Sequence, residues 1–189
     1  MEPVPFAANT YAVLDVPTPV ADLIMAIRRK HDDYGAKLPV EITVAGSTGV
    51  GEFEPGQDPA HVFALLDAIA AATAPIRAHF GAVVRVPNTD IFVLTLADER
   101  PFRALHERIA ASGIRFQLSP FPSAPPCTLR GSSPVSTEEA DELFVLRIAD
   151  GFILDTLSVY MLDRLPCTRL HRVLLTGNSR HEQNISAFL

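Results

Sequence analysis

Two short segments carry the side chains with chemical reach. In LPVEITV, residues 38–44, strand alternation puts Glu41 and Thr43 on one face and Ile42 and Val44 on the other. In PPCTLR, residues 125–130, the same alternation groups Pro126, Thr128 and Arg130 and turns Cys127 and Leu129 toward the core. A carboxyl group can accept or donate a proton, a threonine hydroxyl can hold a polar oxygen, and a guanidinium fits an anion with two parallel bonds. Glu41 is thus the candidate acid–base group. Thr43, Thr128 and Arg130 are the candidate ligand contacts, with Arg130 the nearest cation in either segment.

The first segment runs on into a glycine-rich stretch, AGSTGVGE. A phosphate loop of the nucleotide-hydrolase kind needs a lysine and a helix that starts directly after the glycines, so that backbone N–H groups and the helix dipole point at the phosphates. Neither is present: the next helix is expected near Asp58. Gly46, Gly49 and Gly51 are therefore read as shaping the loop that leaves the strand, with Ser47 and Thr48 on the rim of a groove and Ser47 a further ligand contact.

The other reactive side chains have quieter readings. The two cysteines, Cys127 and Cys167, lie far from any Cys or His at metal-ligand spacing, so neither a disulfide framework nor a metal site is expected. Cys127, on the core side of its strand, reads as a buried inert thiol. Of the six histidines, His31, His61, His79, His106 and His181 read as surface groups. His171, in the last β-rich run, is the one whose strand position could aim it at a groove.

Composition limits the partners. The 189 residues are 48% hydrophobic and 20% charged, as in a globular protein with a packed core, and the formal charge is −6. No basic field is available to neutralise a polyanion, which argues against duplex nucleic acid. The start, MEPVPFAANTY, has no basic and apolar leader pattern, and Asp67 and Pro75 interrupt the richest apolar run, so no membrane partner and a cytoplasmic location are expected.

The elements that must position these residues come in two similar series. TYAVLDV is a β-rich run, followed by Thr18 as a helix cap, Pro19 at the first helical position and Leu23, Ile24 and Ile27 at helical spacing. After VEITVAG, Asp58 and Pro59 open a second helix. GAVVRVP and DIFVLTLAD are close enough for an antiparallel hairpin. The second half adds a helix in ERPFRALHERIAASG closed by Gly113, a strand in APPCTLRG, a helix after Ser136 and Glu139 in capping-box spacing, and the β-rich runs FILDTLSVYML and LHRVLLTG. The expected fold is α+β: one bilobal domain with lobes roughly at 10–87 and 90–176, strand exchange between them allowed, and a tail at 177–189. Each lobe is an antiparallel-rich sheet with outer helices, and a ligand groove lies between the sheets.

The two motif strands resemble those of the two-histidine (2H) phosphoesterase superfamily, which includes the 2′,5′ RNA ligase-like proteins and cyclic nucleotide phosphodiesterases. The likeness covers most of residues 10–176. The family carries one His-x-Thr-x motif per lobe, with LPxHITL the usual look of the first and PHVTLAR that of the second. Here they read LPVEITV and PPCTLR: Thr43 and Thr128 match, while Glu41 and Pro126 stand at the histidine positions.

The resemblance implies metal-free and cofactor-free phosphodiester chemistry, with one histidine taking a proton, the other giving one, and the threonines holding phosphate oxygens. Glu41 could accept a proton, but its charge beside a phosphodiester at roughly 4 Å costs on the order of 1 to 4 kcal/mol. Pro126 offers neither a titratable group nor an N–H. The paired mechanism is therefore expected to fail, leaving a diverged protein that binds a small phosphorylated or other polar, nucleotide-like ligand. The alternative is an enzyme of changed chemistry, with Glu41 as lone acid or base on a small molecule. A third reading is a scaffold whose surface or apolar tail NISAFL meets a protein partner.

Overall fold

The computed structural model describes residues 5–6, 9–122 and 125–178; the tail segment from 179 onward, with His181 and NISAFL, lies outside the described residues. Its strands are β1 (Thr10–Asp15), β2 (Glu41–Ala45), β3 (Glu52–Phe53), β4 (Ile76–Ala78), β5 (Phe80–Arg85), β6 (Phe92–Leu96), β7 (Phe116–Gln117), β8 (Cys127–Arg130), β9 (Phe152–Leu154), β10 (Thr156–Met161) and β11 (Thr168–Leu174). The helices are α1 (Val20–His31), α2 (Pro59–Ala71), α3 (Arg100–Ala110) and α4 (Thr137–Phe144), with a 3-10 turn at Gly35–Lys37.

Every strand pair is antiparallel, and the fold is mixed α+β. One sheet has the order β11-β10-β1-β2 and another β5-β6-β8; β3 with β7 and β4 with β9 form two-stranded ribbons. The larger sheet joins β1 and β2 from the first half of the chain to β10 and β11 from the second. The β5–β6 hairpin spans the sequence division near residues 87–90.

Local chemistry accounts for most boundaries. The Asp58 side chain accepts from the Ala60 N–H at 3.1 Å, and Pro59 takes the first helical position, whose N–H would have no partner. Ser136 Oγ accepts from the Glu139 N–H at 3.1 Å, but the Glu139 carboxylate turns to Arg130 instead of closing the capping box. At α1 the cap moves by one: Pro19, already helical in φ and ψ, holds the N-cap position, and no side chain caps it. The run FILDTLSVYML divides at Asp155, because its two parts pair with different partners, β9 with β4 and β10 with β1 and β11.

A single apolar core lies between the sheets and helices, with Phe53, Phe92, Phe102, Leu14, Ile24 and Ile42 among its fully buried members. Each such side chain contributes roughly 1.5–3 kcal/mol by leaving water. Two helix contacts position the motif strands: α1 packs on β8, and α3 packs on β2.

Candidate functional site

The burial of β2 alternates as the pattern requires. Ile42 and Val44 are buried, while Glu41 and Thr43 are half-buried on the opposite face. Across the β1–β2 ladder, Asp15 pairs with Glu41 and Val13 with Thr43, and across β1–β10 Tyr11 pairs with Tyr160 and Val13 with Ser158. Directly paired residues share a side of an antiparallel sheet. One face therefore carries Tyr11, Asp15, Glu41, Thr43, Ser158 and Tyr160, and it is hydrogen-bonded within itself. Ser158 Oγ donates to Asp15 Oδ2 at 2.7 Å, the Tyr160 hydroxyl to Asp15 Oδ1 at 3.3 Å, and Thr43 Oγ1 to Glu41 Oε2 at 3.1 Å.

Strand β8 comes close to β2. A cavity of about 470 Å³ opens where they meet, bounded by Glu41, Thr128, Arg28, Leu38, Pro39 and Leu129. That is within the size range of small-molecule sites. Its best-anchored element is Arg28, buried at 3% exposure on α1. Nε and Nη2 donate to the Thr128 carbonyl at 2.9 and 2.7 Å, and Nη1 donates to the Pro39 carbonyl at 2.8 Å.

Asp32, the residue after α1, is the second anchor. Its carboxylate accepts from the backbone N–H groups of Tyr34 at 3.1 Å, Gly35 at 2.9 Å and Gly131 at 2.7 Å, and from Ser132 Oγ at 2.7 Å. Burial works against its charge, but these four bonds outweigh it and hold the group below the usual carboxylate range.

Glu41 is shifted the other way. Burial pushes its carboxyl up to about 7; Arg28 and the Thr43 hydroxyl oppose the rise, and Asp15 adds to it. The same surroundings make Cys127 inert. Burial, reinforced by Glu41 against the opposing pull of Arg28, pushes its thiol up to about 12. Burial, Glu41 and the nearby Cys167 also raise the Tyr11 hydroxyl.

Glu41 and Thr128, from opposite halves, meet at the cavity, and Thr43 bonds to Glu41 from the neighbouring position on the same face. Arg130 does not join them. It is buried at 4% exposure, with Nε on Glu139 Oε1 at 2.8 Å and its remaining donors on the carbonyls of Asp90, Ser132 and Pro134. The expected anion contact is instead a brace between β8 and α4, because the carboxylate and carbonyls there complete its shell. Ser47 also lies elsewhere, on a separate cavity of about 250 Å³ beside Gly51 and Gln117, and its carbonyl accepts from Ser119 Oγ at 2.7 Å.

The glycine-rich loop closes on protein. At Gly51, φ is +100° and an added Cβ would stand 1.6 Å from the Gln117 carbonyl oxygen; at Gly46 it would meet Thr43 Cγ2 at 2.7 Å.

His171 faces away from Glu41. It pairs with the core residue Val159 on β10, stacks on Phe63 at 4.5 Å and hydrogen-bonds Asp67 of α2 at 2.7 Å. His31 bonds Glu139, His106 bonds the Val44 carbonyl at 2.8 Å, and His61 and His79 are exposed. Among the described residues no group of side chains could hold a metal ion, and no helix is long and apolar enough to cross a membrane.

Arg28 and Asp32 line the cavity although no motif marks them. One signal was available: Val20, Ile24 and Arg28 follow each other at i, i+4 and i+8 on the buried face of α1, so a cation interrupts an apolar stripe. The acceptors that stabilise it come from residues distant in the chain, which no local pattern reveals.

No family model matches the chain, and no curated protein does. Solved structures do resemble it. TT0787 of Thermus thermophilus is 17% identical with a TM-score of 0.67, over 90% of this chain and 100% of that one. E. coli LigT in complex with 3′-AMP is 18% identical with a TM-score of 0.60, over 92% and 100%. LigT in complex with NADP+ is 20% identical with a TM-score of 0.58, over 94% and 100%. At these identities the likeness establishes the fold.

Proposed function

With the two-histidine phosphoesterase fold as the premise, we propose that this chain binds a small polar ligand in the cavity between β2 and β8 and does not run two-histidine phosphodiester hydrolysis. Supporting the binding half, E. coli LigT on the same fold has been solved with 3′-AMP, NADP+ and ATP, so the architecture accommodates small molecules. The observation that carries the other half is the sequence of the two motif strands. Glu41 and Pro126 stand at the two positions where the family pattern has histidine, and the five described histidines are engaged or exposed elsewhere. Acid–base assistance contributes roughly 10² to 10⁴ in rate per group. A proline and a carboxyl that is anionic whenever it could act as base leave little of either factor.

The test is turnover of 2′,3′-cyclic nucleotides and 2′,5′-linked oligonucleotides by the purified chain. None is expected. Hydrolysis that disappears on replacing Thr43 or Thr128 by alanine would overturn the reading.

One observation favours a second reading. A carboxyl held near 7 is suited to exchanging protons at neutral pH, so Glu41 could serve as lone acid or base on a small molecule. That reading requires a substrate whose turnover is lost in Glu41→Gln and follows a single ionisation near neutrality.

A further inference from the structure

The cavity between β2 and β8 is asymmetric in its hydrogen bonding, and the asymmetry restricts what it can hold. Its donors are largely committed. All three guanidinium nitrogens of Arg28 are on carbonyl oxygens, and the Tyr34, Gly35 and Gly131 N–H groups and the Ser132 hydroxyl are on Asp32. Among the described residues, a phosphate or carboxylate entering here would find Thr128 and Tyr34 at the wall, but no unoccupied cation or cluster of free N–H groups.

An acceptor, by contrast, is open. Thr43 occupies Glu41 Oε2, and no donor among the described residues reaches Oε1, although Glu41 lines the cavity. The charges lean the same way. Glu41 and Asp32 line the space and Asp15 stands beside Glu41 in the ladder, against one lining cation, Arg28. Lys37 is exposed and does not border the cavity. Leu38, Pro39 and Leu129 supply apolar walls, and the half-exposed ring of Tyr34 lies at the edge.

We propose that this cavity takes the cationic head of a small ligand, an amidinium or ammonium group, on the Glu41 carboxylate, with the ligand's apolar body against Leu38, Pro39 and Leu129. The proposal rests on the groove-binding reading above and names its ligand class. It inverts the charge preference expected of a phosphate site on this fold: the negative group that hinders a phosphodiester becomes the group that selects the ligand. A cation gains an ion pair as well as hydrogen bonds there, and a neutral isostere gains a hydrogen bond to the carboxylate without the attraction between opposite charges.

Three probes built on one phenyl ring decide it: benzamidine, benzamide and phenyl phosphate, measured by calorimetry and thermal shift on the full chain. At about pH 8 benzamidine should bind and raise the melting temperature, benzamide should bind about tenfold or more weakly, and phenyl phosphate should give no shift. Glu41→Gln, checked by circular dichroism for folding, should lose about tenfold or more of the benzamidine affinity. Should that variant not fold, the unmodified chain decides. Its benzamidine affinity must fall about tenfold or more between about pH 8 and about pH 5.5, as the Glu41 carboxyl becomes protonated against the opposing influence of Arg28 and with Asp15, Tyr11 and Cys127 as its other ionisable neighbours.

Absence of benzamidine binding, affinity indifferent to both the variant and pH, or tighter binding of phenyl phosphate would each overturn the cation assignment. Phenyl phosphate binding that is lost in Thr128→Val would overturn it while leaving the groove-binding reading standing. Hydrolysis of 2′,3′-cyclic nucleotides would defeat that reading itself.

Discussion

Arg28 on the first helix holds the backbone of Thr128 on the second motif strand, 100 residues away, through two bonds to one carbonyl at 2.9 and 2.7 Å. The same guanidinium reaches back to the Pro39 carbonyl just before β2, so one buried cation spaces both walls of the cavity. Arg28→Met should therefore lower stability on the order of 3 kcal/mol, because it strands buried carbonyl acceptors and removes a charge that faces Glu41. Urea denaturation measures the loss. Because Arg28 holds the Glu41 carboxyl down against burial, the variant should also move the Glu41 titration upward, readable by NMR. An unchanged Glu41 would mean that the two groups do not communicate.

Glu41 should make the fold less stable as pH rises through neutrality. Its carboxyl is raised from 4.5 to about 7 in the folded chain, so the folded state holds the proton more tightly than the unfolded one. The resulting stability is fully present below about 4.5 and is lost as pH passes through about 7, on the order of 3 kcal/mol in all. Urea midpoints of the unmodified chain should fall from about pH 5 to about pH 8 more steeply than those of Glu41→Gln, which has no proton to lose. Parallel profiles would refute the assignment.

The motif strands were legible because they obey the shortest-range rule in the chain. Period-two alternation put Glu41 and Thr43 opposite Ile42 and Val44, and the structure keeps that division. The caps at Asp58 and Ser136 were legible for a similar reason, each being decided within three residues. Arg130 shows where such reasoning stops. Its place at the end of β8 follows from the strand pattern, but what a long flexible side chain does depends on the acceptors within its reach, here Glu139 and three carbonyls. His171 shows the same limit: its face is set by pairing with Val159 across a bulged β10–β11 ladder, and local sequence does not encode that register. The short ribbons β3–β7 and β4–β9 pair segments far apart in the chain and too brief for a periodic signal.

Arg130 should matter for stability and for little else. Arg130→Met removes a buried brace and leaves the Glu139 carboxylate without its main partner, so a loss on the order of 2 to 4 kcal/mol is expected. For Glu139 itself, burial is outweighed by the bonds from Arg130 and His31, which hold its carboxyl below the usual range. The stability from that pair is present above the unfolded carboxylate value and is lost as pH falls through the folded one. The variant should accordingly show a flatter acid limb in its pH–stability profile. Cavity ligands should bind the folded variant as they bind the unmodified chain, and a selective loss of their affinity would return Arg130 to the site.

Gly51 tests what the glycine-rich loop is for. Its φ of +100° is a conformation that side chains rarely adopt, and the space a Cβ needs is filled by the Gln117 backbone at 1.6 Å. Gly51→Ala must therefore push β3 away from β7, where Phe53 packs against Phe116 with ring centroids 5.3 Å apart. A loss of about 2 kcal/mol or more is expected in urea denaturation. Because the glycine serves this close approach of two chain segments, any rise in melting temperature with ATP and magnesium should be the same in Gly51→Ala as in the unmodified chain. A rise with ATP that Gly51→Ala abolishes, in a variant otherwise as stable as the parent, would assign the loop to phosphates after all.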